Sequence, residues 1–258
     1  MRIVTLMENT ACCGGLAAEH GLSLYIETEN HRLLFDAGQS SAFADNAGKL
    51  GIDLTGVDTA VLSHGHYDHG GGLLHFLQIN DSAPVWVNPH VFEGHYNAND
   101  QDIGLPAALR DSGRLRFARD GEQIGKGLTL YSRMDCPYGI RPFGLKTREG
   151  TALVPEDFRH EQYLLIEEAG KRILISGCSH RGILNIMHSF RPDVLVGGFH
   201  FMKLSPDSGE LEQAAAALKR FPAVYYTGHC TGEAQFDTLK TAMGQQLHRL
   251  SAGKEIIL

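Results

Sequence analysis

Val61-Leu62-Ser63-His64-Gly65-His66-Tyr67-Asp68-His69-Gly70-Gly71-Gly72-Leu73 places four metal-competent side chains within six positions. The apolar, partly β-branched lead-in over residues 59–62 reads as a buried strand, and glycines follow at once, so these side chains sit where a strand ends and the backbone turns. In an extended segment, residues two apart face the same side, which lets His64 and His66 reach one ion together, with Gly65 removing bulk between them. Asp68 and His69 come after the turn begins and point elsewhere, which suits a second ion nearby. Imidazole and carboxylate donors suit zinc first, although iron, manganese and nickel accept similar sets. A polar, metal-free histidine loop is the bland alternative.

Four donors on one loop leave two ions underfilled, so more must come from the ends of other strands. His180 follows the apolar stretch 172–176 through Gly177-Cys178-Ser179, and His229 follows 223–227 through Gly228. Each repeats the layout of His64: an apolar strand, small residues, then histidine. His200, in Gly198-Phe199-His200, ends another strand and is expected to face the same cleft as a ligand, a proton donor or a substrate contact. Arg181 opens the helix after His180, and Lys203 lies three residues beyond His200; both are candidate contacts to an anionic substrate. His31, His75, His90 and His248 carry no motif and read as surface or packing residues.

The chain has 258 residues, 43% hydrophobic and 21% charged, which is enough for one substantial core and predicts a single domain over 1–258. No apolar run approaches the roughly 20 residues of a membrane span, and Met1-Arg2 is followed by only five apolar-leaning residues, so neither an anchor nor an export signal is expected. Five cysteines, two of them adjacent at Cys12-Cys13, suggest no disulfide framework and favour the reducing cytoplasm. A formal charge of −7 gives no basic footprint for nucleic acid, which leaves a small molecule as the expected partner.

Along the chain, strands are expected over 3–7, 22–28, 31–36 and 59–63, with Glu29-Asn30 as a tight hairpin, then helices over 40–50 and 72–78 around the metal loop, and a short strand at 85–87. The second half repeats this order with strands at 162–167, 172–176, 194–197 and 223–227 and helices at 183–190, 210–220 and 233–247. Between the halves, Pro137, Gly139, Pro142, Gly144, Gly150 and Pro155 predict an irregular stretch over 134–160. It is expected to lie over the cleft as a lid or substrate wall, with Arg141, Phe143, Lys146 and Arg148 as contacts; an architectural loop is the competing reading.

These motifs resemble those of the metallo-β-lactamase superfamily. Asn9, Glu19-His20-Gly21-Leu22-Ser23, Leu34-Phe35-Asp36-Ala37-Gly38-Gln39, the Gly177 to Ile183 segment, Gly197 to His200 and Thr227 to Gly232 are similar to a subgroup of metal-dependent hydrolase-like proteins labelled after the dihydropterin-methyl-ribofuranosylaminobenzene-phosphate synthase. The resemblance runs nearly end to end. It implies an α/β fold, a four-layer αββα sandwich with a two-metal centre in the cleft. His64, His66 and His180 would then hold one ion, and Asp68, His69 and His229 the other, with Asp36 orienting a ligand. Where the wider superfamily often carries a bridging aspartate, Cys178 stands instead, as a bridging thiolate or a small buried residue. The implied activity is metal-assisted hydrolysis of an anionic or phosphorylated small molecule, with Asp68 orienting the attacking water. A pterin-diphosphate-dependent transferase and a non-catalytic metal-bearing binding or sensing protein are the alternatives.

Overall fold

The strand that precedes the metal loop is short, Thr59–Val61, and it lies in a seven-stranded sheet ordered Glu255–Ile257, Arg2–Met7, Ser23–Glu27, Arg32–Phe35, Thr59–Val61, Val85–Val87 and Leu115–Phe117. The computed structural model describes residues 1–258. A second seven-stranded sheet runs Leu247–Arg249, Val224–Thr227, Val194–Val196, Lys171–Ile175, Tyr163–Glu168, Leu128–Tyr131 and Glu122–Gly125. In both sheets antiparallel pairs give way to parallel ones, at Arg32–Phe35 with Thr59–Val61 in the first and at Lys171–Ile175 with Val194–Val196 in the second.

Strand alternation builds the layers. Leu33 and Phe35 point inward and Leu34 outward; across the sandwich Leu164, Ile166, Ile173 and Ile175 point inward while Tyr163, Leu165 and Leu174 point outward. The inward sets of both sheets form one buried layer. The outward face of the first sheet packs on Phe43, Ala47, Leu73 and Phe76 from the helices Ala42–Lys49 and Leu73–Ile79. That of the second packs on the helices Ile183–Phe190, Gly209–Leu218 and Glu233–Met243. Sheets covered on both faces need continuous apolar strands, and this chain supplies them. The result is the four-layer αββα arrangement.

Three expectations need correction. The helix expected to reach residue 247 stops at Met243, because Gly244 turns to φ 59°, and Leu247–Arg249 instead adds a parallel strand beside Val224–Thr227. The short edge strands Leu115–Phe117 and Glu122–Gly125, and Leu128–Tyr131 beside the latter, were not expected from the sequence. Residues 134–160 are not wholly irregular, since Lys146–Glu149 and Ala152–Pro155 form a hairpin around Gly150, extended by His95–Tyr96. Polar strands such as Lys-Thr-Arg-Glu carry no period-2 apolar signal, so only a neighbouring edge reveals them. No helix is long and apolar enough to cross a membrane.

Leu164 is fully buried between the sheets. Leu164→Ala is expected to cost about 2–5 kcal/mol, read as a lowered denaturant midpoint at unchanged slope.

Candidate metal centre

Parallel strands share a direction, so the segments leaving Phe35, Val61, Ile175, Val196 and Thr227 emerge at matching edges of the two sheets. The turns there are strained: Asp36, Ser179, His200 and His229 take φ of 57°, 57°, 55° and 49°. Positive φ is uncommon for residues with a Cβ and persists where the surroundings over-determine it. Close approach does the same at Gly177, where an added Cβ would stand 2.2 Å from Ser63 Oγ.

The imidazoles are set by hydrogen bonds behind them. The Asp36 carboxylate accepts from Ser63 N at 2.7 Å and Ser63 Oγ at 2.7 Å, and pairs with His69 Nδ1 at 2.6 Å. Because the Ser63 hydroxyl donates to Asp36, it accepts from His64 Nδ1 at 2.8 Å. His229 Nδ1 donates to Asn9 Oδ1 at 2.9 Å, and its backbone N–H donates to Glu8. The Nδ1 protons of His64, His69 and His229 are thereby directed outward, which leaves Nε2 to face the centre. His180 is held differently, its ring stacked on Phe158 with centroids 4.6 Å apart and its backbone N–H on Glu161 at 2.8 Å.

His64 Nε2 and His180 Nε2 stand 3.3 Å apart, and His69 Nε2 and His229 Nε2 3.2 Å apart. Lone pairs facing each other at that distance repel unless a proton or cation lies between them. A tetrahedral cation with bonds of about 2.0–2.1 Å holds its nitrogen donors roughly 3.3 Å apart, so both pairs fit such an ion. Asp68 Oδ2 lies 3.2 Å from His229 Nε2 and 3.8 Å from His69 Nε2, on the side of the second pair. The His66 ring stands 4.6 Å from that of His64 and 4.9 Å from that of His180, on the side of the first pair. Five of the six side chains expected as ligands therefore face one another, His64 with His180 and Asp68 and His69 with His229, while His66 stands beside the first pair with its ring nitrogen nearer those of His95 and His160.

Their charge states suit that reading. Burial, followed by crowding from neighbouring rings, pushes His64 and His180 well below the usual imidazole range; burial does the same to His66. Neutral rings keep lone pairs for a cation. Burial pushes the Asp68 carboxyl up, but the rings of His69 and His229 outweigh it and hold the group well below the usual carboxylate range. Burial would lower His69 as well, yet Asp36 and Asp68 raise it to about 9, so without a cation this ring takes the positive charge.

Sequence reasoning missed two buried histidines. His95 and His160 stack at 3.9 Å, and a ring nitrogen from each lies within 4.8 Å of one on His66. They follow no strand-small-histidine pattern, so nothing in the sequence marked them. His95 Nδ1 bonds Glu156 at 2.9 Å and is therefore protonated, while His160 Nδ1 accepts from Gly65 N at 2.8 Å, which puts its proton on Nε2. Ligation through His160 Nε2 would break that bond or require an imidazolate; the Nε2 atoms of His66, His95 and His160 have no hydrogen-bond partner, so the other two rings pack beside His66 without bonding it. His20 was also missed as a site residue; its Nε2 lies 3.4 Å from Asp68 Oδ2 at the open side.

A cleft of about 630 Å³ adjoins His180 and His200. Its walls include Tyr138, Ile140, Arg141, Phe143, Phe199 and Phe201, so part of the 134–160 segment does flank the cleft. Lys146 and Arg148 do not, being tied to Asp100 and Tyr96. His200 is buried with neither ring nitrogen bonded, its ring 4.3 Å from that of His180. Arg181 and Lys203, the expected anion contacts, do not line this cleft; the Arg181 guanidinium donates to the Ser132 carbonyl at 2.7 Å, and Lys203 Nζ donates to the Phe143 carbonyl at 2.9 Å.

The sequence model of the metallo-beta-lactamase superfamily matches residues 17–229, the span that holds every residue of the two groups. The chain belongs to that superfamily. It is 28% identical, over 99% of its length and 96% of the relative's, to the 7,8-dihydropterin-6-methyl-4-(beta-D-ribofuranosyl)-aminobenzene-5'-phosphate synthase of Methanocaldococcus jannaschii. Among solved structures, Tm1679, described as a metal-dependent hydrolase of the beta-lactamase superfamily, is 29% identical, with a TM-score of 0.86 covering 100% of this chain and 99% of that one. Zn(2+)-bound PqqB from Methylobacterium extorquens shares the fold at 12% identity and a TM-score of 0.64, each chain fully covered. Divalent metals are usual in this superfamily, and the donor groups here fit them.

Two outcomes test the arrangement. Asp36→Asn removes the charge behind His69 and the Ser63 link to His64, and is expected to weaken divalent-ion affinity by about 10–100-fold with unchanged circular dichroism. Below a pH of about 9 the His69 ring carries a proton that a cation must displace. Affinity measured against a competing chelator should therefore rise with pH through the neutral range and flatten once that proton is gone.

Proposed function

We propose that the chain is a metal-dependent hydrolase of a small, phosphorylated molecule, working through a dinuclear zinc centre. The observation that carries this reading is the pair of facing imidazole couples, at 3.3 and 3.2 Å, with one carboxylate 3.2 Å from the second couple. When bound, two divalent ions lower the pKa of water to about 7 and neutralise charge on a departing phosphoryl oxygen. The chain's own groups supply the rest. His64, His66 and His180 hold one ion and Asp68, His69 and His229 the other. Asp68 orients the incoming water by accepting a hydrogen bond from it. His200 faces the cleft with free ring nitrogens and gives a proton to the leaving oxygen. Aromatic walls exclude competing water and hold an apolar portion of the substrate. The five unpaired thiols fit a reducing, cytoplasmic setting.

A second reading is favoured by the size and apolar lining of the cleft. It has room for an acceptor beside the centre, in keeping with the synthase activity named for the Methanocaldococcus relative. There the ions would neutralise a leaving diphosphate, and the acceptor amine or carbon would take the place of water.

Turnover in heavy-oxygen water separates the two: label in the released product means hydrolysis, and an unlabelled coupled product with an aromatic acceptor means transfer. Activity that survives exhaustive chelation would overturn both. His200→Ala is expected to lower kcat by about 10²–10⁴-fold while metal content, measured by elemental analysis, stays unchanged.

A further inference from the structure

The cleft beside the metal centre holds one ion pair that hydrolysis does not use. Among its walls the only lysine or arginine is Arg141 and the only aspartate or glutamate is Glu210, and the two are paired with each other. Their side chains are 56% and 52% exposed, and an ion pair in that setting contributes little, so another anion can compete for the guanidinium. Glu210 also lies in the first turn of the helix Gly209–Leu218, where the helix dipole favours a carboxylate with or without Arg141. Exchange of Glu210 for a second carboxylate therefore costs little.

The segment that presents Arg141 is fixed even though its side chain is not. Tyr138 N donates to Asn185 Oδ1 at 2.9 Å, Asn185 Nδ2 donates to the Gly139 carbonyl at 2.7 Å, and Lys203 Nζ donates to the Phe143 carbonyl at 2.9 Å. The Arg141 guanidinium carbon stands 5.3 Å from the centre of the Phe143 ring, the Phe143 ring 5.4 Å from that of His200, and the His200 ring 4.3 Å from that of His180. A run of rings thus leads from the metal centre to a guanidinium at its outer end.

We propose that Arg141 is a substrate-binding residue, and that the cleft takes a flat aromatic phosphoester carrying a carboxylate at the end remote from the ions. This rests on the hydrolase reading and names its substrate class. The phosphoryl group goes to the ions, the aromatic ring lies beside Phe143, and the carboxylate displaces Glu210 from Arg141, whose planar guanidinium bonds it in bidentate fashion. A substrate with an apolar outer end leaves the Arg141–Glu210 pair intact and gains nothing from it.

The test is calorimetric titration of the metal-loaded protein with two unreactive probes, 2-naphthylphosphonate and its 6-carboxy derivative. The wild type is expected to bind the carboxylated probe about 3–10-fold more tightly. Arg141→Gln should abolish that difference and leave the affinity of the plain probe unchanged. Glu210→Gln, which removes the internal competitor, should widen it. Both side chains are exposed, so both variants are expected to keep the wild-type circular dichroism. Equal affinity for the two probes in the wild type, or a difference that survives Arg141→Gln, would overturn the proposal and leave the hydrolase reading standing. A plain probe that binds the chelated protein as tightly as the metal-loaded one would instead overturn the placement of the phosphoryl group at the ions, and the hydrolase reading and the proposal with it.

Discussion

The Asp36 carboxylate is the constraint from which the centre is built. It has no exposure to solvent, and a buried carboxylate must be hydrogen-bonded to be tolerated. Its donors are Ser63 N, Ser63 Oγ and His69 Nδ1. Satisfying them fixes the turn after Thr59–Val61, the rotamer of Ser63, and through that hydroxyl the ring of His64. One charge therefore sets two imidazoles that belong to different donor groups. The geometry needs Asp36 at φ 57°, a conformation that a non-glycine residue keeps only because these bonds hold it.

The opposite wall is organised by a second set of buried acids. Glu161 accepts from the backbone of His180 and Arg181, and Glu8 from the backbone of His229 and Thr10. Both carboxylates act on main-chain donors, so they place the turns and leave the rings to other partners, Phe158 for His180 and Asn9 for His229. The centre is thus assembled from two sheets whose only shared apolar layer lies beneath it. Rigidity in that layer is what lets nitrogens on separate strands approach to 3.2–3.3 Å without a covalent link.

Much of this was legible beforehand. The continuous apolar runs within residues 31–36 and 172–176 mark strands buried on both faces, and the histidines that follow short strands mark the rim of a cleft. His64, Asp68, His180 and His229 were readable because each carries a local signature, a strand followed by small residues and a ligand. His95, His160 and Glu156 carry none; they become neighbours of His66 only when the Lys146–Glu149 hairpin pairs with His95–Tyr96. Arg181 and Lys203 illustrate the reverse. Their sequence positions suggested an anion grip, but neither lines the cleft, and each gives a hydrogen bond to a backbone carbonyl.

The sequence by itself determined most strands and helices and the ligand types, because backbone periodicity and side-chain chemistry are local properties that act over a few residues; the four layers were implied only by the resemblance. Tertiary structure alone decided which nitrogen of each ring faces inward, which charged side chains reach the cleft, and that the Cys178 sulfur lies between two imidazole pairs. Those outcomes depend on hydrogen-bond partners from distant strands, such as Asn9 with His229, 220 positions apart. No local pattern encodes such a pairing; it follows from the packing of the whole sandwich.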